Sequence, residues 1–233
     1  MKTKAALLAS SALLALTLTV PAQAGNFYVT VLGGVNVLND EGFAASDPVT
    51  PTSTLVFSPD SNSGYVVGGA VGWDLDQYMN GLRVEAEFAY RHNQVDGHWT
   101  SNSGVTPGWS GSLDFDHTTF SVMANVWYDF AIGGLSPYVG GGIGWARTNA
   151  DGGYFGATTQ AFDLDDSGFA WQLGAGVNFN IAPKTTMGIG YRYLQAREVT
   201  IISPSELDGF PNSSAGEIGS GNHSVIVDVS YRL

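Results

Sequence analysis

The chain contains no cysteine, so neither a disulfide framework nor a thiolate metal site is open to it. Charge is scarce as well: Asp, Glu, Lys and Arg make up 13% of the residues, against roughly 25% in ordinary soluble proteins. Positive charge is the scarcest. Nine Lys and Arg stand against 21 Asp and Glu, a formal net charge of −12, and Lys184 is the only lysine beyond Lys4. Nucleic-acid binding needs clustered cations to neutralise phosphates, and this sequence does not supply them. Beyond residue 24, no run approaches the roughly 20 apolar residues of a membrane helix.

The first 24 residues are read separately. Lys2 and Lys4 precede an apolar stretch from Ala5 to Val20, and Ala22-Gln23-Ala24 follows with the small-x-small pattern of a cleavage site. This predicts a cleaved export signal over 1–24 and one domain over 25–233.

What that domain has in abundance is period-two alternation, which puts successive side chains on opposite faces of a strand. From Leu82 to Arg91 the even positions are apolar or aromatic, while the odd ones carry Arg83, Glu85, Glu87 and Arg91. Phe120 to Phe130, Phe169 to Phe179 and Val225 to Leu233 repeat the pattern. Eight such segments are predicted at 26–38, 63–75, 81–92, 114–130, 137–148, 167–180, 185–197 and 222–233. The connections near 76–80, 131–136 and 181–184 are short; those near 39–62, 93–113, 149–166 and 198–221 are long and polar. Strict short–long alternation places all long loops at one end of an up-and-down barrel, the anatomy of outer-membrane barrels. The fold class predicted is all-β, an eight-stranded antiparallel up-and-down transmembrane β-barrel.

A soluble barrel would turn a charged face to water. Here the less apolar face carries Gly68, Ala70, Gly72, Gly140, Gly142, Gly144, Gly174, Gly176, Gly188 and Gly190. Small residues at that density suit the narrow inside of eight strands. The other face ends in aromatics, with Trp73, Tyr78, Tyr128, Phe130, Phe179 and Tyr231 towards the short turns. Tyr90, Phe120, Phe169 and Tyr193 lie towards the long loops. Two such bands are expected at the two membrane interfaces.

The segment Gly81-Leu82-Arg83-Val84-Glu85-Ala86-Glu87-Phe88-Ala89-Tyr90-Arg91 resembles the third strand of small outer-membrane barrels of the opacity and major-surface-antigen type. Tyr138-Val139-Gly140-Gly141-Gly142-Ile143-Gly144-Trp145-Ala146 is similar to their fifth strand. Asn125 to Phe130, Gly188 to Tyr193 and the closing Tyr231-Arg232-Leu233 add to the resemblance. It implies a porin-family barrel in a Gram-negative outer membrane, in contact with outer-membrane lipids and lipopolysaccharide. It also implies insertion by the barrel-assembly machinery, which reads a terminal aromatic; Tyr231 and Leu233 stand where that signal is usually Phe or Trp. A peptidoglycan-binding domain of the OmpA type is not seen, so wall anchoring is not implied. The family includes adhesins, antigens and channel-like members.

The inward register gathers a polar network in the lumen: Arg83, Glu85, Glu87, Arg91, Asn125, Asp129, Gln172, Arg192, Asp228 and Arg232. Buried charges are costly alone, so opposite signs are expected to pair, with Arg192 as central counter-ion of Glu85 and Glu87. Such a network either fills a closed core or gates small ions. Paired carboxylates also serve glycosidases, but this lumen is too narrow for a sugar chain. His92, His98, His117 and His223 read as rim residues. His223 and Ser224 are adjacent on a strand and so point to opposite faces, which does not make a catalytic pair. No catalytic or cofactor-binding constellation is indicated. Asp163, Asp165 and Asp166 are weak candidates for a divalent cation in a loop, without the spacing of an EF-hand. Trp99 and Trp109 fall in another long loop, as a contact surface for a host or other surface partner or as packing within the loop. The leading expectation is a non-enzymatic surface protein acting through its acidic loops. A narrow channel for ions or very small solutes comes second, and a lipid-modifying enzyme or protease third.

Overall fold

The computed structural model describes residues 26–39, 44–46, 54–61, 63–102, 109–155, 160–197, 199–201, 216–218 and 221–233. The expected export signal lies outside the described residues. Eight long strands form the body: β1 (Phe27–Asn39), β2 (Ser63–Asp74), β3 (Leu82–Asn102), β4 (Trp109–Asp129), β5 (Leu135–Phe155), β6 (Gln160–Ala182), β7 (Thr185–Gln195) and β8 (Gly221–Arg232). Each pairs antiparallel with its neighbour in sequence, and β8 returns to pair with β1. The sheet is therefore a closed ring without an edge at this level.

The register gives the geometry of the ring. From Tyr28 the paired residues run through Gly72, Glu85, Asn125, Gly142, Gln172, Leu194 and Asn222 to Leu38, ten residues further along β1. A stagger of ten over eight strands tilts them by about 40° and leaves a lumen that side chains just fill. Tight turns join the strands at one end. Gly133 and Gly81 have φ of 63° and 83° there, a region glycine enters without strain. Lys184 also sits there, at φ 69° after Pro183.

The outer face shows where the membrane lies. Val31, Val71, Phe88, Val122, Ile143, Leu173, Ile189 and Val227 are exposed apolar residues around the whole ring. Such a surface is unstable in water and natural in lipid. Trp73, Tyr128, Phe130, Leu135 and Tyr231 close the band at the short-turn end; Tyr90, Phe120, Trp145 and Phe169 close it at the other. Beyond these the outward positions turn polar: His92 faces Asp116 at 3.7 Å, and Arg147 is paired with Asp165.

Strand lengths depart from the sequence expectation. A tilted strand needs about 9–11 residues to cross, and β1, β2, β7 and β8 have 13, 12, 11 and 12. By contrast β3, β4 and β5 have 21 each and β6 has 23. The surplus carries these four strands about 25 Å beyond the membrane at that tilt. Much of 93–113 and 149–166, read as loop, is therefore ladder. Thr54–Ser61 pairs with the top of β3 and Ala44–Ser46 pairs with it in turn, while Val199–Ile201 and Gly216–Ile218 make a separate hairpin. Outside the membrane both strand faces are free to be polar, so the composition of loops does not exclude strand.

The position of the band is open to direct test. Val122→Arg should destabilise the barrel by about 2–4 kcal/mol, and Thr118→Arg, four residues outward on the same face, by about 1 kcal/mol or less. Urea unfolding in lipid vesicles measures both, and equal costs would move the band.

Candidate functional site: the closed lumen

The parity that turns apolar residues to lipid turns the remainder inward, and the stagger decides which of them meet. At the short-turn end of the lumen Glu85 is the hub. It accepts hydrogen bonds from Tyr28 Oη at 2.7 Å, Arg83 Nη1 at 2.6 Å and Trp127 Nε1 at 2.8 Å. Arg83 also donates through Nε to Asp129 at 2.6 Å, and Asn178 Nδ2 donates to the other Asp129 oxygen at 3.0 Å. The Trp127 ring is completely buried. It lies 5.6 Å edge-on from Tyr138, and the Arg192 guanidinium sits over its face at 4.9 Å.

One layer outward, Glu87 is ion-paired with Arg192 and accepts from Asn125 Nδ2 at 3.1 Å; Gln172 donates to Asn125 Oδ1 at 2.7 Å. Next comes an apolar belt, with Leu32, Val66, Ala89 and Ile226 on one side and Met123, Ala146, Ala170 and Leu194 on the other. Beyond it lies a second polar layer. Asn36 Nδ2 donates to Asn93 Oδ1 at 2.6 Å and Asn222 Oδ1 at 2.7 Å, and Ser224 donates to Asn36 Oδ1 at 2.6 Å. Arg91, only 1% exposed, donates to Ser121 Oγ at 2.9 Å, and no described carboxylate stands within ion-pair reach of it.

These positions revise several expectations. Arg192 does not serve both glutamates: it pairs with Glu87, while Glu85 belongs to Arg83. The expected pairing of every buried charge fails at Arg91, and at Asp228, whose side chain makes no hydrogen bond or ion pair to a described residue. Arg232 is exposed and paired with Asp74 at the mouth of the lumen rather than within it. His117, read as a rim residue, is buried on the inner face of the extension, and neither ring nitrogen has a partner among the described residues. Asp165 and Asp166 lie on a strand and project to opposite faces; Arg147 and Asn149 hold Asp165. The side chains of Asp163, Trp99 and Trp109 lie outside the described residues, although the backbones of all three are in strands. His223 and Ser224 do face opposite ways: Ser224 bonds inward to Asn36, and His223 Nδ1 meets Tyr191 Oη at 2.5 Å outside. Tyr28, Trp127, Tyr138 and the asparagine layer were not singled out by sequence, although their parity marked them as inward.

A family model described as outer membrane protein beta-barrel domain matches residues 9–232. The chain belongs to that family. Among solved structures it is similar to Neisserial surface protein A, at 17% identity and a TM-score of 0.50, over 89% of this chain and 97% of that one. It is also similar to the outer membrane protein OprG from Pseudomonas aeruginosa, at 14% identity and a TM-score of 0.48, over 90% and 98%. The outer membrane protease OmpT from Escherichia coli matches at 8% identity and a TM-score of 0.48, over 91% and 98%. No curated protein matches the chain in sequence.

Two predictions concern the buried charges. Arg192→Met alone should cost about 3–5 kcal/mol, because Glu87 is left buried and unpaired. Adding Glu87→Gln should recover about 1–3 kcal/mol of that. A double-mutant cycle by urea unfolding reads the coupling, and strict additivity would show that the pair does not hold the plug. His117 lies above the membrane band, and burial pushes its imidazole down to about 4. The fold holds the neutral ring, so its contribution is complete above the ordinary histidine range near 6.5 and is lost as pH falls from there towards about 4. The span is worth on the order of 3 kcal/mol. His117→Leu should flatten the difference in unfolding midpoint between pH 7 and pH 4.5, and an unchanged difference would refute the assignment.

Proposed function

We propose that the protein is a non-enzymatic surface barrel of the outer membrane, which acts through the strand-built extension of β3 to β6 and keeps its lumen closed. The observation that carries this reading is the plug: Glu85, Trp127, Arg192 and Glu87 are buried and bonded to one another across the lumen. A barrel filled in this way offers solutes no path, while its tall outer wall offers a surface.

The chemistry of that wall favours a basic partner. Asp96 and Asp114 are exposed and directly opposite on β3 and β4. Facing like charges repel, and a cationic protein surface relieves them. The enzymatic reading gains no support from the His223 and Ser224 pair, whose side chains are separated by the sheet. The channel reading treats the same plug as a gate.

Two measurements separate these readings. The purified barrel in planar bilayers should show no discrete openings; defined single-channel steps abolished or altered by Arg192→Met would replace this proposal with the channel. Replacing residues 94–115 by a two-residue turn should leave a heat-modifiable, folded barrel and remove most adhesion of expressing cells to a host-cell layer. Adhesion unaffected by that deletion and by Asp96→Asn with Asp114→Asn would sink the surface role.

A further inference from the structure

The lipid-facing band is not level at its outer edge. At the tilt of the strands, one residue along a strand rises about 2.5 Å and one step from β8 across to β1 rises about 3 Å. On β8 the outward apolar positions end at Val225 and His223 follows; on β7 they end at Tyr193 and Gln195 follows. On both flanks the apolar face continues higher. Val37 of β1 is exposed opposite His223 and stands about 3 Å above it. Phe169 of β6 is exposed on the same strand as Leu173, the partner of Tyr193, and stands about 4 Å above His223. The edge is therefore notched over two strands, with polar groups at a height where the flanking strands are still apolar.

Four rings meet in the notch. Tyr191 Oη lies 2.5 Å from His223 Nδ1, the Tyr193 ring is 4.9 Å from the imidazole, and Trp171 is 5.5 Å from Tyr193. Tyr193 donates its hydroxyl to Gln195 Oε1 at 2.5 Å. The phenol of Tyr191 is the natural donor to a neutral imidazole, so Nδ1 accepts and the ring proton sits on Nε2. His223 is half-buried, and its Nε2 makes no hydrogen bond to a described residue. An unmatched donor at the edge of hydrocarbon is costly until an acceptor meets it. The contrast is His92, the outward histidine beside the girdle on β3, which packs on Tyr65 and has Asp116 at 3.7 Å.

We propose that this notch seats the sugar headgroup of an outer-leaflet glycolipid of the lipopolysaccharide type. A sugar oxygen accepts from His223 Nε2, and the apolar face of the sugar ring lies against Trp171, which is 36% exposed. The acyl chains then run down over Val225, Val227 and Ile189, all exposed on the band below. The site is thus continuous with the lipid-facing surface, and the tall extension of β3 to β6 puts it on the outer side of the membrane. A phosphate is the poorer match. The guanidinium groups above the band on this side, Arg147 and Arg197, are each held against an aspartate, and phosphate recognition draws on charged donors. One neutral donor beside an indole face suits a sugar instead. The site does not depend on whether the lumen is closed.

The isotope-labelled barrel in phosphatidylcholine nanodiscs tests this by NMR, with rising mole fractions of lipopolysaccharide or, in a second series, of phosphatidylglycerol. The His223 ring, the Trp171 indole N–H and the Tyr193 amide should shift saturably with lipopolysaccharide and not with phosphatidylglycerol, while Tyr65 and His92 stay in place. His223→Leu puts an apolar side chain at a lipid-facing position and should fold; it should weaken the binding about tenfold through loss of the donor. His223→Gln restores a donor and should keep the greater part of the affinity. No saturable shift, equal shifts with phosphatidylglycerol, or full binding in His223→Leu would each overturn the proposal. So would a loss in His223→Gln as complete as in His223→Leu, or an equal loss in His92→Leu, which would reduce the effect to the girdle at large.

Discussion

In hydrocarbon every unpaired backbone N–H or C=O costs several kcal/mol, so a strand can cross a membrane only within a ring that has no edge. The ladder between β1 and β8, from Tyr28 opposite Arg232 to Asn39 opposite Gly221, is the pairing that removes the last edge. Once eight strands close with a stagger of ten, the bore is set, and everything turned inward must fit it. Large inward side chains are therefore placed over residues without one. Tyr28 lies across Gly72, and Tyr138 lies across Gly176 and Gly190, where an added methyl group would collide with the ring. The glycines are the complement of the tyrosines, and both follow from closure.

The bore also decides how charge is carried. A guanidinium that cannot reach water must find its partners along the lumen, and the partners here are arranged by height. Arg83 and Arg192 serve three carboxylates below the apolar belt, with Trp127 stacked between them, while Arg91 stands above the belt with no described carboxylate in ion-pair reach. A cation drawn into the acidic lower lumen would next meet the apolar belt and then Arg91; an anion would meet the same obstacles in reverse. Charge of both signs is present, yet its order along the axis opposes passage by either. This supports a plug over a gate on electrostatic grounds, independently of the width of the bore.

The parity of the strands was legible in the sequence because lipid contact demands an unbroken apolar face. Val122, Ala124 and Val126 alternate with Met123, Asn125 and Trp127, and the short turns punctuate that pattern. What was not legible is who meets whom inside. Glu85 and Glu87 have the same parity and similar neighbours in sequence, and only the stagger sends one to Arg83 and Tyr28 and the other to Arg192. The outer halves of β3 to β6 were hidden for another reason. Beyond Tyr90 and Phe120 the outward positions become Gln94, Asp96, Asp114 and Asp116, which is the composition of a loop. The inward positions Val95, Phe115 and His117 are too few to announce a strand, although all three are buried.

Those outer halves also carry a liability that the closed part does not. β7 ends at Gln195, opposite Trp171, so among the described residues the stretch of β6 from Gln160 to Ala170 has no ladder on that side, although the strand Val199–Ile201 is in contact with β6. An unpaired strand edge is a template for another chain. Along this edge the outward Asp165 is engaged by Arg147 and Asn149 of β5, and Asp166 lies 3.8 Å from Arg197 just past the end of β7. Charged side chains held in place are a device that keeps edges from pairing with copies of themselves. The acidity of the extension thus has a structural cause. One run of sequence is disciplined by closure in its inner half and by charge in its outer half, and the register that seats Glu87 against Arg192 also sets which carboxylates the wall presents to the outside.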